Sequence, residues 1–473
     1  MGCRLNQIES ESAARSFVEA DFNVIIKPLQ AKNDSDLETV LCIVNTCAVT
    51  QKAEQKDRRI IRLVLEKCPN ATVIVTGCYA QLSSDKIKSI DKRIAVLKGQ
   101  LKSRLADVPA LLRNEITLNK FNPLNFAELL NNGLFNAATE TPGTSENAFR
   151  LATDSFIAHS RSSIKIQDGC NCNCSYCTIH IARGRSVSLD AEEIIRRVQK
   201  LEKSGQAEVV ITSVNIAQYR GKYKDSCINF SQLLKLCLDH TEKISFRISS
   251  LYPETVDSEF CSVIKDSRVR PYFHISVQSG SNKILKMMRR SYSAENVIAA
   301  CNMLKKSKSE PFLSCDIITG FPGETDEDFE ETMKLCKTCD FAWVHVFPFS
   351  ARTGTEAAEM KQKIPQATSG KRAAELASWA RQNKIKYIEN FRGKTVNAVL
   401  ETVKKPFAFA NEEGREIFHA VSENFLHCEI SAPAGKIKIN PGSAIKLKIL
   451  GPIGIGERKN GEIDTLADFA DFS

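Results

Sequence analysis

The chain has 473 residues, 42% apolar and 26% charged, a balance that fits a globular protein and excludes a collagen-like or highly charged disordered one. Its 65 basic and 56 acidic residues leave a formal charge of +9, which suits a polyanionic partner and a solvated surface about equally. No run approaches the ~18 apolar residues of a membrane span, and Met1-Gly2-Cys3-Arg4-Leu5-Asn6 lacks a signal-peptide layout, so a cytoplasmic chain with no membrane partner is expected.

Residues 1–98 alternate apolar strands with helical stretches: Val40 to Val44, Gln55 to Leu65, then Val73 to Thr76. That is an α/β pattern. Residues 99–160 lose the rhythm. Asn122-Pro123, Asn131-Asn132-Gly133 and Thr141-Pro142-Gly143-Thr144-Ser145 read there as a linker with one short helix at most. From 161 to 388 strands recur at Glu208 to Thr212, Phe246 to Ser249, Tyr272 to Val277, Leu313 to Thr319 and Trp343 to Phe349. Asp190 and Glu193 suit a capping box for a helix with Ile194, Ile195, Val198 and Leu201 on one face and Gly205 at its end. Repeated βα units predict a parallel sheet, curled into a full or partial barrel. Over 391–458, Lys436-Ile437-Lys438-Ile439 and Lys446-Leu447-Lys448-Ile449 alternate strictly, with turns at Ala434-Gly435 and Asn440-Pro441-Gly442. These predict a small β-barrel whose lysine face suits a phosphate backbone or, as readily, plain solvent.

The densest chemical signal is Gly169-Cys170-Asn171-Cys172-Asn173-Cys174-Ser175-Tyr176-Cys177. Thiols so close in one loop cannot all face a core, and in a reducing compartment clustered cysteines read as metal ligands. Zinc normally takes four ligands in two separated pairs, and no second Cys or His pair follows at a suitable distance. An iron–sulfur cluster on three cysteines, with one iron open to a ligand, matches better. Cys170, Cys174 and Cys177 have three-residue and two-residue gaps with Tyr176 before the last; Cys172 is extra.

That spacing resembles the radical S-adenosylmethionine (SAM) superfamily. With Gly2-Cys3-Arg4-Leu5-Asn6-Gln7, Val44-Asn45-Thr46-Cys47 and Thr76-Gly77-Cys78-Tyr79-Ala80, nearly the whole chain resembles the methylthiotransferases. Further matches are Lys165-Ile166-Gln167-Asp168-Gly169, Ala182-Arg183-Gly184-Arg185-Ser186, Val277-Gln278-Ser279-Gly280-Ser281, Gly320-Phe321-Pro322-Gly323-Glu324-Thr325 and Phe347-Pro348-Phe349-Ser350-Ala351-Arg352-Thr353-Gly354-Thr355. The stretch Gly2 to Glu11, Ala182 to Ser186 and Ser249-Ser250 look most like the threonylcarbamoyladenosine branch.

The resemblance implies an α/β protein in three parts: an N-terminal α/β methylthiotransferase domain, a central radical SAM partial (β/α) barrel and a C-terminal TRAM-like β-barrel that binds RNA. It implies two [4Fe-4S] clusters, one on Cys170, Cys174 and Cys177 that cleaves SAM, the other on Cys3, Cys47 and Cys78 that supplies sulfur. Tyr176, Asn215, Ser249 and Gln278 are the SAM-pocket candidates; capping of strand ends is the plainer role for the same residues. The implied reaction is methylthiolation of C2 of N6-threonylcarbamoyladenosine at position 37 of tRNAs reading codons that start with A. A monomer served by an electron donor such as flavodoxin or ferredoxin is expected. The alternatives are isopentenyladenosine in tRNA or a ribosomal-protein aspartate as target, and a zinc-holding RNA-binding protein with no activity. The chain departs from the family at Thr212-Ser213-Val214-Asn215, Ile179-His180-Ile181 and Tyr252, and Cys3 has no strand before it.

Overall fold

The computed structural model describes residues 3–26, 29–48, 50–136, 148–151, 161–401, 415–433, 439–453 and 464–470. The turns expected at 141–145 and 434–435 and the lysines of 436–438 lie outside them.

In the N-terminal unit, β1 (Leu41–Thr46), β2 (Thr72–Gly77) and β3 (Ile94–Val96) form a parallel sheet in the order β1-β2-β3. Central β2 is buried at every residue, which is why its sequence runs apolar and Thr without alternation. Helix α1 (Arg4–Glu19) precedes the sheet. Helix α2 (Gln51–Lys67) crosses from β1 to β2, its N-terminus capped by Thr50, which accepts from Ala53 N.

The segment from 99 onward differs from the linker expected there. It holds three helical pieces, Gly99–Asp107, Val108–Thr117 and Pro123–Asn132. Leu101, Leu105, Leu112, Phe126 and Leu130 bury themselves against Ala13, Phe17, Ile74 and Ala95, so the segment completes the N-terminal core. Asn122-Pro123, which reads as a loop, is a helix start: the Asn122 side chain accepts from Leu124 N and Asn125 N, and Pro123 opens the first turn.

The central unit is the expected curled parallel sheet. Ser162–Lys165, Glu208–Thr212 and Ser245–Ile248 pair in parallel, with Glu208–Thr212 in the middle. Ser250–Leu251, Tyr272–Gln278, Phe312–Thr319 and Trp343–Pro348 follow as a second parallel sheet. Helices between them close one core around Ile194, Val198, Phe246, Phe273 and Leu304. The capping box expected at Asp190 is not formed. Asp190 makes no side-chain cap, and Glu193 turns instead to Arg196 and Arg197.

The C-terminal unit is a closed five-stranded barrel, in the order Thr395–Leu400, Arg415–Ser422, His427–Pro433, Thr465–Phe469, Ala444–Pro452. The strand that closes it, Thr465–Phe469, lies past 458, where the barrel was expected to end. Ile445, Leu447 and Ile449 point inward while Lys446 and Lys448 are exposed, as the alternation requires. Among the described residues no helix is long and apolar enough to cross a membrane.

Candidate functional site

The cysteine loop follows the Ser162–Lys165 strand and a two-residue bridge, Gln167–Asp168, to Val187–Ser188. The loop is pinned at both ends. Cys170 N donates to Gly184 O at 3.0 Å, and Ser175 N donates to Met288 O at 3.2 Å. Cys170 and Cys174 are buried; Cys172 and Cys177 are half-buried. Two amides point at sulfur: Cys172 N at Cys170 Sγ and Ile179 N at Cys177 Sγ, both at 3.4 Å. N–H donors of this kind support thiolate sulfurs in iron–sulfur sites.

The neighbouring Cys172 brings the Cys170 thiol down to about 7. Cys172, and then burial, push Cys174 up, and burial lifts Cys177 to about 11. Crowded sulfurs cannot all ionise without a cation among them, and iron supplies that charge. The donors suit an iron–sulfur cluster by type, and Cys170 and Cys177 by amide support, while among the described residues no three His, Cys, Asp or Glu side chains are already drawn together as a metal site. Cys172 lies against Cys170 and Cys174, and its Sγ also accepts from Gln218 Nε2 at 3.1 Å and Asn215 Nδ2 at 3.5 Å.

Beside the loop sits a residue for which the sequence carries no local signal. Arg290 donates to Tyr252 Oη at 3.0 Å and Tyr176 Oη at 2.6 Å, and its guanidinium lies 5.7, 5.3 and 5.7 Å from the rings of Tyr176, Tyr252 and Tyr292. Burial opposes its charge, but the tyrosines hold its pKa well above the usual value. Its Nε is buried without a partner, and no carboxylate among the described residues lies within ion-pair distance. A shielded cation with a spare donor is suited to an anionic ligand group.

The four pocket candidates fare differently. Tyr176 is tied to Arg290. Ser249 Oγ is buried and unpartnered, a second group free to meet a ligand. Gln278 ends its strand at φ +72° beside a register shift, a strained backbone of the kind found at functional sites. Asn215 accepts from Ala217 N at 3.1 Å and caps a short 3-10 turn, the plainer role.

The three N-terminal cysteines come from separate elements that meet at one edge. Thr46 pairs with Gly77 in register, so Cys47 and Cys78 leave the same end of β1 and β2. Cys3 caps α1 and is exposed; Cys47 and Cys78 are buried. Between this edge and the central unit lies a buried charge network. Glu9 bonds Lys102, Lys165 at 3.2 Å and Arg183 at 3.1 Å; Asp168 bonds Lys165 at 3.0 Å and Arg183 at 2.9 Å. Burial alone would raise the Glu9 carboxyl, but Arg183, Lys102 and Lys165 hold it well below the carboxylate range. Both units thus share one polar interface, reinforced where Arg352 meets Glu54 and Gln51 meets Ala351.

A thiol loop after the first strand of a curled parallel sheet, behind a second α/β unit with its own cysteines, defines a radical SAM protein of two-part design. Residues 164–336 match the Radical SAM superfamily, and residues 1–99 match the Uncharacterized protein family UPF0004. A threonylcarbamoyladenosine tRNA methylthiotransferase MtaB of Treponema pallidum (strain Nichols) is 39% identical, over 95% of this chain and 97% of its own. That of Bacillus subtilis (strain 168) is 31% identical, over 95% and 92%. A tRNA-2-methylthio-N(6)-dimethylallyladenosine synthase of Endomicrobium trichonymphae is 28% identical, over 93% and 97%. The chain belongs to the MtaB family of threonylcarbamoyladenosine tRNA methylthiotransferases.

Proposed function

We propose that this chain methylthiolates C2 of N6-threonylcarbamoyladenosine at position 37 of tRNAs reading codons that start with A. What supports the reading is the ion-pair network that joins the helix after Cys3 to the residues flanking the cysteine loop, within a chain 39% identical over 95% of its length to a threonylcarbamoyladenosine enzyme. In this reading Cys170, Cys174 and Cys177 hold the [4Fe-4S] cluster that binds SAM, and Cys3, Cys47 and Cys78 hold a second one. Together with SAM these groups supply one-electron chemistry at an adenine carbon too inert for acids and bases. The chain's residues bind and orient. Arg290 takes the carboxylate of SAM with Nε and the edge left open by its tyrosines, and Ser249 Oγ meets the same ligand. Tyr176 holds Arg290 in place rather than reading the ligand alone. Lys446 and Lys448 on the barrel face meet tRNA phosphates. The electron donor is a flavodoxin or ferredoxin, and the enzyme works as a cytoplasmic monomer.

Nucleoside mass spectrometry of tRNA from strains with and without the chain tests the substrate. Loss of the methylthio-threonylcarbamoyladenosine peak is expected. Persistence of that peak, with loss of the isopentenyl product instead, would move the chain to the other tRNA branch.

A further inference from the structure

The hydrogen bonds of the two cysteine sets converge on Arg183. On the N-terminal side its Nη2 donates to Asn6 Oδ1 at 2.8 Å, and the same oxygen accepts from the Cys3 thiol at 3.8 Å. Asn6 Nδ2 in turn donates at 2.9 Å to Thr46 O, the carbonyl preceding Cys47. On the central side Nη1 donates to both oxygens of Asp168, at 2.9 and 3.1 Å. Asp168 Oδ1 also accepts at 2.8 Å from Gly169 N, the amide preceding Cys170. The backbone repeats the link: Ile179–Arg183 is a single helical turn that begins just after Cys177, and Gly184 O receives Cys170 N.

Lys165 also bridges the units, from Glu9 to Asp168, but only Arg183 spans them with separate nitrogens of one planar fork, Nη2 toward Asn6 and Nη1 toward Asp168, a directed geometry that a point-charge ammonium lacks. Among the described residues the ion pairs of Lys102, Lys165 and Arg183 run to Glu9 and Asp168, three cations to two carboxylates. Buried charge is costly unless an opposite charge lies nearby. Cys78 and Cys3 are the sulfurs that face Arg183 from the N-terminal side.

We infer that Arg183 is a positioning residue that fixes the spacing and orientation of the two cysteine sets, so that sulfur held on one faces the radical generated at the other. The inference rests on the reading of a second cluster on Cys3, Cys47 and Cys78.

The test uses the full chain, reconstituted anaerobically with iron and sulfide, as Arg183→Lys and Arg183→Gln. Arg270→Gln is the control, a buried ion-paired arginine that faces Glu208 and Glu423 instead. Both Arg183 variants should keep SAM cleavage yet release about tenfold or more 5′-deoxyadenosine per methylthiolated nucleoside, since an ångström of misplacement costs on the order of 10²-fold. Arg270→Gln should lose thermal stability with no such uncoupling. A second readout needs no turnover. With Cys170, Cys174 and Cys177 replaced by Ala, the remaining cluster should have a lower reduction midpoint when Arg183 is Gln, because a nearby cation is gone. Uncoupling equal to wild type, or uncoupling in Arg270→Gln as well, would overturn the inference. So would an unshifted midpoint with iron retained, which also decides the matter if turnover is lost with the fold. No iron on the triple-Ala background would instead bring down the two-cluster reading, and this inference with it.

Discussion

Replacing Gly169 and Gly184 by alanine, one at a time, separates backbone strain from crowding at the cysteine loop. Both residues have positive φ, +70° and +78°, and Gly184 combines it with ψ −162°, a region that glycine alone readily adopts, so alanine carries a backbone cost of about 1–3 kcal/mol at each. Their surroundings differ. A Cβ on Gly169 would meet Arg185 O at 1.9 Å and Gly184 O at 2.8 Å, whereas the nearest atom to one on Gly184 is Gln100 Nε2 at 3.7 Å. Restoring ordinary contact at Gly169 means parting two backbone segments by roughly 1.5 Å. Those segments are joined by the Cys170 N to Gly184 O bond, so the substitution adds overpacking of about 1–3 kcal/mol and a hydrogen bond of about 1 kcal/mol. Gly184→Ala should therefore cost about 1–3 kcal/mol and leave Cys170 in place. Gly169→Ala should cost about 3–7 kcal/mol and carry Cys170 away from Cys174. Thermal melting gives the stability. Iron per chain gives the geometry, measured with Cys3, Cys47 and Cys78 replaced by Ala so that only the loop site is counted. Equal iron and equal melting in the two variants would refute the steric argument and leave only the shared strain.

Further predictions concern charge and ligands. Burial would raise the Glu208 carboxyl, but Arg247, then Arg270 and Arg161, bring it from 4.5 to about 2. Its stabilisation is thus complete above 4.5 and lost as pH falls toward about 2. Glu208→Gln, which strands Arg247, should cost about 3–5 kcal/mol near neutrality, and its melting deficit should narrow across that acid window. With Cys170, Cys174 and Cys177 as ligands, Cys172→Ala should retain the loop cluster while Cys174→Ala should lose it; because Cys172 lies against both Cys170 and Cys174, iron analysis of both variants decides the ligand assignment. Arg290→Met should weaken SAM binding about 10- to 100-fold in equilibrium dialysis of the reconstituted chain, and unchanged binding would remove Arg290 from the pocket. The double change Lys446→Glu, Lys448→Glu should lower the salt slope of tRNA binding by about 2, read from affinities at several ionic strengths.

Reading the sequence alone succeeds where chemistry is local and falters where it is shared. Four thiols in one loop declare themselves, and the strict alternation around Lys446 and Lys448 gives the faces of a barrel strand. Helix α1 gives no such signal, because Asn6, Glu9, Glu11 and Ser12 are buried on it and hydrophobic periodicity is silent about a polar core face. The helices of 99–132 hide behind Asn-Pro and Asn-Gly dipeptides that read as loops, yet their apolar residues find partners in β2 and α1. Glu193 has the spacing of a cap, but Arg196 and Arg197 take its carboxylate; side-chain competition within one turn decides such cases. Arg290 is the clearest instance: its tyrosines come from positions 176, 252 and 292, so only the fold assembles them. The same holds for Arg183. Its motif is visible in the sequence, but its significance lies in Asn6 and Asp168, which tertiary structure alone brings to opposite sides of one guanidinium. Pattern thus locates the thiols crowded into one loop, whereas Cys3, Cys47 and Cys78, dispersed along the chain, stand out only through the family resemblance. It misses the residues that relate one ligand set to the other, because relating distant segments is what those residues do.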